Sequence, residues 1–165
     1  MTVTRTRPAT DADEITTLTQ MLDFLRATVV HKVSGLTDAD AFSAVVPPSE
    51  LTPAGIVKHM CIVERWWFSI DFANADLPEP APGGHFELAP QDTLSAMIAE
   101  YVAECERSRK AIAGESLDEM ARGKDVSFNL RYALLHMIEE TARHAGHIDI
   151  LRELIDGMVG DHPDD

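Results

Sequence analysis

Basic residues are scarce in this chain: 14 lysines and arginines stand against 28 aspartates and glutamates, a net charge of −14. So acidic a surface excludes nucleic acid and anionic membranes as expected partners, since both are held through basic patches. Long apolar runs are missing as well. No stretch of the sequence approaches the roughly 20 apolar residues that cross a bilayer, and residues 1–8 lack the apolar segment of a secretory leader. Cysteine is limited to Cys61 and Cys105. Both fall inside helical patterns, where they read as small buried hydrophobes rather than as a disulfide. A reducing, cytoplasmic location is the expectation. No segment carries the strict apolar–polar alternation of a strand, and neither an internal repeat nor a sustained heptad is present.

What the chain does have is helical periodicity. At 165 residues and 45% apolar content it is long enough to bury one core, and it reads as a single all-α domain over 1–165, with a core from about 11 to 157. Four long helices are predicted. The first spans about 11–34: Asp11 and Glu14 form a capping box, and Ile15, Leu18, Met21, Leu22, Leu25, Val29 and Val33 make the apolar face up to Gly35. The second opens at Thr52-Pro53, with Ile56, Val57, Met60, Val63, Trp67 and Ile70 as its face. The third starts near Gln91 and ends at Gly114. The fourth runs from about Asn129 to Gly157. Between the second and third lies a loop, 74–90, with Pro78, Pro80, Pro82, Pro90 and Gly83-Gly84. No regular element survives that composition, and a loop this long in a compact domain is more often functional than idle. The pattern argues for an antiparallel or mixed four-helix bundle. The tail 161–165 reads as frayed.

The chemistry sits in the fourth helix. His136, Glu140 and His144 are four residues apart, so they stack on one helical face, and His147 follows on the same stripe. Buried polar groups need partners, and a divalent metal would serve all of them. His59 in the second helix has apolar neighbours at Ile56, Met60 and Val63, which aim its imidazole near the core. His59 with Glu140 and His144 then makes three protein ligands, the pattern of an open catalytic site. Imidazole and carboxylate suit zinc, and also nickel, iron or manganese. The competing reading is a solvated polar face in which Glu140 pairs with Arg143. His31, His85 and His162 have no such company and read as surface residues, with His85 in the long loop.

The segments around His59 (Gly55-Ile-Val-Lys-His59-Met-Cys) and around Glu140 (His136-Met-Ile-Glu-Glu140-Thr-Ala-Arg-His144-Ala-Gly-His147) resemble the DinB-like superfamily of metal-binding four-helix bundles. The resemblance is to its actinobacterial branch, which includes mycothiol-dependent S-transferases and maleylpyruvate isomerases. It runs from about Glu14 to Gly157. It implies metal ligation by His59, Glu140 and His144. Glu140 stands where many relatives carry histidine, and His147 where many carry glutamine. His147 is therefore expected beside the ligands or facing substrate, with His136 and Trp66 as weaker substrate-side candidates.

The function this implies is a metal-dependent transferase that joins a low-molecular-weight thiol, mycothiol or one like it, to an electrophilic small molecule. Zinc is the first choice of metal. The alternatives are a thiol-dependent isomerase of the maleylpyruvate type, a non-enzymatic metal-binding stress protein and a metal-dependent hydrolase. A homodimer through exposed helix faces is compatible with the pattern, although no motif marks it.

Overall fold

The computed structural model describes residues 3–78, 84 and 86–160. His85, His162, the tail 161–165 and the proline-rich middle of the long loop lie outside the described residues. The architecture is all-helical, with no strand among the described residues: α1 (Glu14–Val33), α2 (Asp38–Ala41), α3 (Pro53–Glu64), a π-helical continuation of α3 (Arg65–Phe72), α4 (Leu94–Ala111) and α5 (Leu130–Asp156). Among those residues no helix is long and apolar enough to cross a membrane.

The long helices begin where a side-chain oxygen takes one of the orphan N–H groups of the first turn. Asp13 Oδ1 accepts from the Thr16 amide at 2.8 Å and Thr52 Oγ1 from the Gly55 amide at 3.0 Å. Thr93 Oγ1 accepts from the Ala96 amide at 3.3 Å and Asn129 Oδ1 from the Tyr132 amide at 3.0 Å. Two predicted starts shift for this reason. Asp13, not Asp11, caps α1, and Thr93 delays α4 from the expected Gln91 to Leu94. α4 also stops earlier, at Ala111 rather than Gly114. α5 fits its predicted limits, with Asn129 as its cap and Gly157 at φ 77° ending it in the left-handed conformation. The four-residue α2, capped by Thr37, is too short to leave a periodic signal.

Ion pairs and ring contacts fix the directions of the helices. Glu14 pairs with Arg131 near one end of α1 and Lys32 with Asp149 near the other, so α1 and α5 run parallel. Lys58 with Asp92, and Arg65 with Glu104, set α3 and α4 parallel as well. His59 against Glu140, and Trp67 against Phe128, make α3 and α5 antiparallel. The bundle is therefore mixed, up-down-down-up. Parallel neighbours cannot be joined by a tight turn. The connection from Phe72 to Leu94 must travel back the length of α3, and this return is what the long proline loop provides. It brings residues 86–92 beside the start of α3.

Leu22, Ile56, Met60, Phe68, Phe72, Tyr101, Leu130, Leu134, Met137 and Ile148 form the centre of one hydrophobic core. The π-helical segment changes which residues reach it. Phe68 and Phe72 are buried, whereas Trp67 and Ile70, placed on the apolar face by α-helical periodicity, are half-buried. A π-helix closes its hydrogen bonds one residue later than an α-helix, so the burial register slips by about one position. Its closing carbonyls are satisfied from outside: Asp71 accepts from the Gly123 amide at 2.7 Å and Phe72 from the Arg122 amide at 3.0 Å. Cys61 and Cys105 are free and buried, as expected.

Candidate metal centre

α3 and α5 face each other where the core turns polar. His59 projects from α3, and Glu140 and His144 from successive turns of α5. Their exposures are 8%, 8% and 6%. His59 Nε2 lies 3.0 Å from Glu140 Oε1, and His144 Nε2 lies 3.3 Å from the same oxygen. One donor atom from each residue falls within 4.8 Å of the others. For metal bonds of about 2.1 Å in tetrahedral geometry the donor–donor edge is about 3.4 Å. The two spacings to Glu140 Oε1 fall just short of that edge, so small rotamer shifts would admit an ion.

The protonation states also suit a cation. Burial, reinforced by the neighbouring His59 and His147 and opposed by Glu140, pulls His144 down to about 4, leaving a neutral imidazole with a lone pair at physiological pH. Burial raises Glu140, but the hydrogen bond with His59 and the charges of His144, His59 and Arg143 outweigh it, so its carboxyl ends below the ordinary value. Arg143 Nη1 donates to Glu140 Oε2 at 2.8 Å, which orients the carboxylate and leaves Oε1 toward the imidazoles. Arg143 also reaches Glu139, its surface partner four residues back.

A pH dependence follows for protein stripped of metal. Between about pH 6.5 and 4 an unfolded chain protonates the residue-144 imidazole while the folded chain does not. Stability therefore falls as pH drops through that window and is fully present above it. Glu140, with its lowered value, adds loss in the same direction as pH falls further. The urea midpoint is expected to decline from pH 7 to 4.5, and His144→Gln to flatten that decline. An unchanged slope in the variant would show that His144 is not the group responsible.

The other candidates are placed as follows. His147 is next to His144, Nδ1 to Nδ1 at 3.4 Å, with the rings edge-on at 5.1 Å. His136 does not join the triad. Its ring lies 4.2 Å from Trp67 and is stacked 6.4 Å from Tyr132, and Phe128 completes this aromatic cluster 4.9 Å from Trp67. Trp66 sits half-buried on the π-helical segment, and His31 is exposed, as expected. The residue that sequence reasoning missed is Phe86. Its ring stacks on His59 at 4.4 Å and 15° and lies 5.9 Å from His144. No spacing rule places a ring carried by a loop, and the only available signal was an aromatic beside Gly84 in a segment too long to be idle.

Residues 17–157 match the sequence model of a family described as mycothiol-S-transferase. Among solved structures, a conserved protein from Enterococcus faecalis superposes with a TM-score of 0.61 at 16% identity, over 89% of this chain and 99% of that one. At that identity the likeness speaks to the fold alone. No curated protein matches the chain.

Proposed function

The chain belongs to the mycothiol-S-transferase family, and from that membership we propose that it joins a low-molecular-weight thiol of the mycothiol type to an electrophilic small molecule, at a divalent metal held by His59, Glu140 and His144. The observation that carries this reading is the convergence of two imidazole nitrogens and one carboxylate oxygen, from two helices, among buried residues. A bound divalent metal lowers the pKa of a coordinated thiol and so supplies thiolate at neutral pH.

The protein's own groups do the rest. Glu140 contributes the one negative donor, and Arg143 fixes its second oxygen. His144 would use Nε2 as donor, which puts its proton on Nδ1, aimed at His147 Nδ1. That contact sets the tautomer and ring orientation, as partners beside metal ligands commonly do. His136 and Tyr132, one and two turns before Glu140 on α5, cluster with Phe128 just ahead of that helix and with Trp67 of the π-helical segment, and this cluster offers an aromatic wall to an apolar electrophile. The thiol's sulfur attacks the electrophilic carbon, a C–S bond forms, and the leaving group departs with its electron pair. The thiol proton passes to solvent.

Thiol consumption tests this directly. Zinc-loaded protein, mycothiol and an alkyl halide are expected to give the thioether, seen by mass spectrometry, well above the uncatalysed rate, and His144→Ala to give only that background. Faster conversion of an isomerisable substrate with no net thiol loss would instead point to a thiol-dependent isomerase. No thiol dependence with any electrophile, in protein that holds stoichiometric metal, would sink the transferase reading.

A further inference from the structure

The three donors are buried, yet the proposed reaction needs a thiol to reach them. What lies over two of them, His59 and His144, is Phe86. One face of its ring stacks on His59 at 4.4 Å and its edge approaches His144, while the residue is still 38% exposed. It is thus a single layer between those two imidazoles and water. The stretch that carries it is tied down from the residue next to His59. Lys58 Nζ donates to the Glu87 carbonyl and pairs with Asp92 at 3.5 Å. Asp92 Oδ2 in turn accepts from the Ala89 amide at 2.8 Å, and its own amide donates to the Ala89 carbonyl at 2.9 Å, closing the turn at the base of this strap.

The first turn of α3 is shaped to receive the strap. A Cβ at Gly55 would lie 3.0 Å from the Phe86 carbonyl oxygen and 3.7 Å from its Cβ, so glycine there lets the loop backbone approach without a shift. Three residues in the first two turns of α3 therefore have complementary parts: Gly55 makes room, Lys58 fastens and His59 is covered. Nothing in the burial of the strap matches the core beneath it. It is held by one lysine, one ring stack, the partly buried Leu88 and hydrogen bonds at the surface, the kind of attachment that opens below the cost of global unfolding.

We propose that Phe86 is the cover of the donor triad, that Lys58 keeps it closed, and that molecules larger than water reach His59 and His144 only when the 86–92 strap lifts. The proposal takes the triad as the working site described above, but access to the two histidines can be measured with or without a metal.

The first arm uses metal-free protein and diethyl pyrocarbonate, with modification of each histidine followed by mass spectrometry and exposed His31 as internal reference. In the wild type, His59 and His144 are expected to react at least tenfold more slowly than His31. Phe86→Ala and, separately, Lys58→Met are expected to speed both by tenfold or more with His31 unchanged. The second arm loads zinc and follows its capture by an excess of chelator. Release is expected to be about tenfold faster in each variant, with Kd changed less than threefold, because a cover alters both rates of exchange together. Reactivity of His59 and His144 equal to that of His31 in the wild type, or no acceleration in either variant, would overturn the proposal. Failure of the wild type to hold zinc would count against the metal reading alone and leave the acylation arm to decide the cover.

Discussion

Replacing His144 with alanine is expected to take the protein from about one equivalent of bound divalent metal to essentially none after dialysis. The affinity loss should exceed a hundredfold, about 2.7 kcal/mol or more, because one of only three protein donors is removed. Glu140→Gln is the sharper probe. It keeps the shape, the Arg143 contact point and the buried position, and removes the one negative donor between two imidazoles. A loss of roughly ten- to a hundredfold is expected, similar to what removal of a partner beside the ligands costs. The fold should survive both changes. In His144→Ala, Glu140 retains His59 and Arg143, so no carboxylate is left buried without a partner. Elemental analysis of wild type and variants side by side decides it. Wild-type protein that takes up no zinc, nickel, iron or manganese on reconstitution would reduce the triad to a buried polar network.

The second large effect belongs to a pair that does no chemistry. Arg26 of α1 and Glu64 at the end of α3 are both buried, and the guanidinium grips the carboxylate through two bonds, Nε to Oε1 at 2.7 Å and Nη2 to Oε2 at 2.6 Å. Arg26 also binds Asp23 at 2.9 Å and lies over the Phe68 ring at 5.5 Å. Removing one partner strands the other charge in the core. Arg26→Ala or Glu64→Ala is expected to cost about 3–5 kcal/mol, a large share of the 5–15 kcal/mol by which domains are usually stable. In a protein of this size that corresponds to a drop in Tm of about 10–15 °C. Replacing both together, Arg26→Met with Glu64→Leu, should recover most of the loss, since a packed apolar pair often equals or exceeds a buried ion pair. Equal destabilisation by the double change and by the single changes would show that packing, not charge, dominates here.

Much of this architecture was legible in the sequence. The starts at Thr52 and Asn129, the end of α5 at Gly157 and the shared stripe of Glu140 and His144 follow from period and spacing, because an amphipathic helix orients its residues before it meets a partner; joining His59 to that pair across two helices also took the family resemblance. Three things were not legible. The π-helical turn at Arg65–Phe72 moved burial from Trp67 and Ile70 to Phe68 and Phe72, since a helical wheel drawn at 100° per residue drifts wherever the hydrogen bonds lengthen. Arg26 and Glu64 sat unremarked on apolar faces, although a charge in the stripe Leu22, Arg26, Val29, Val33 was a visible signal that a buried counter-charge existed elsewhere. Phe86 lay in a loop whose path is set by the parallel run of α3 and α4, a tertiary fact that no local pattern contains.

The parallel pairing of α1 with α5 has a consequence for how the molecule is made. Glu14 meets Arg131 and Lys32 meets Asp149, each across 117 positions of chain. A ribosome delivers α1 well before α5, so the part of its apolar face that α5 covers stays open until the other helices have emerged. Contacts of such sequence separation form slowly, and exposed apolar surface on a nascent chain is a hazard. Two of the three donors also arrive with α5. An ion held by this triad would therefore be gripped by all three donors only after α5 has docked against α3.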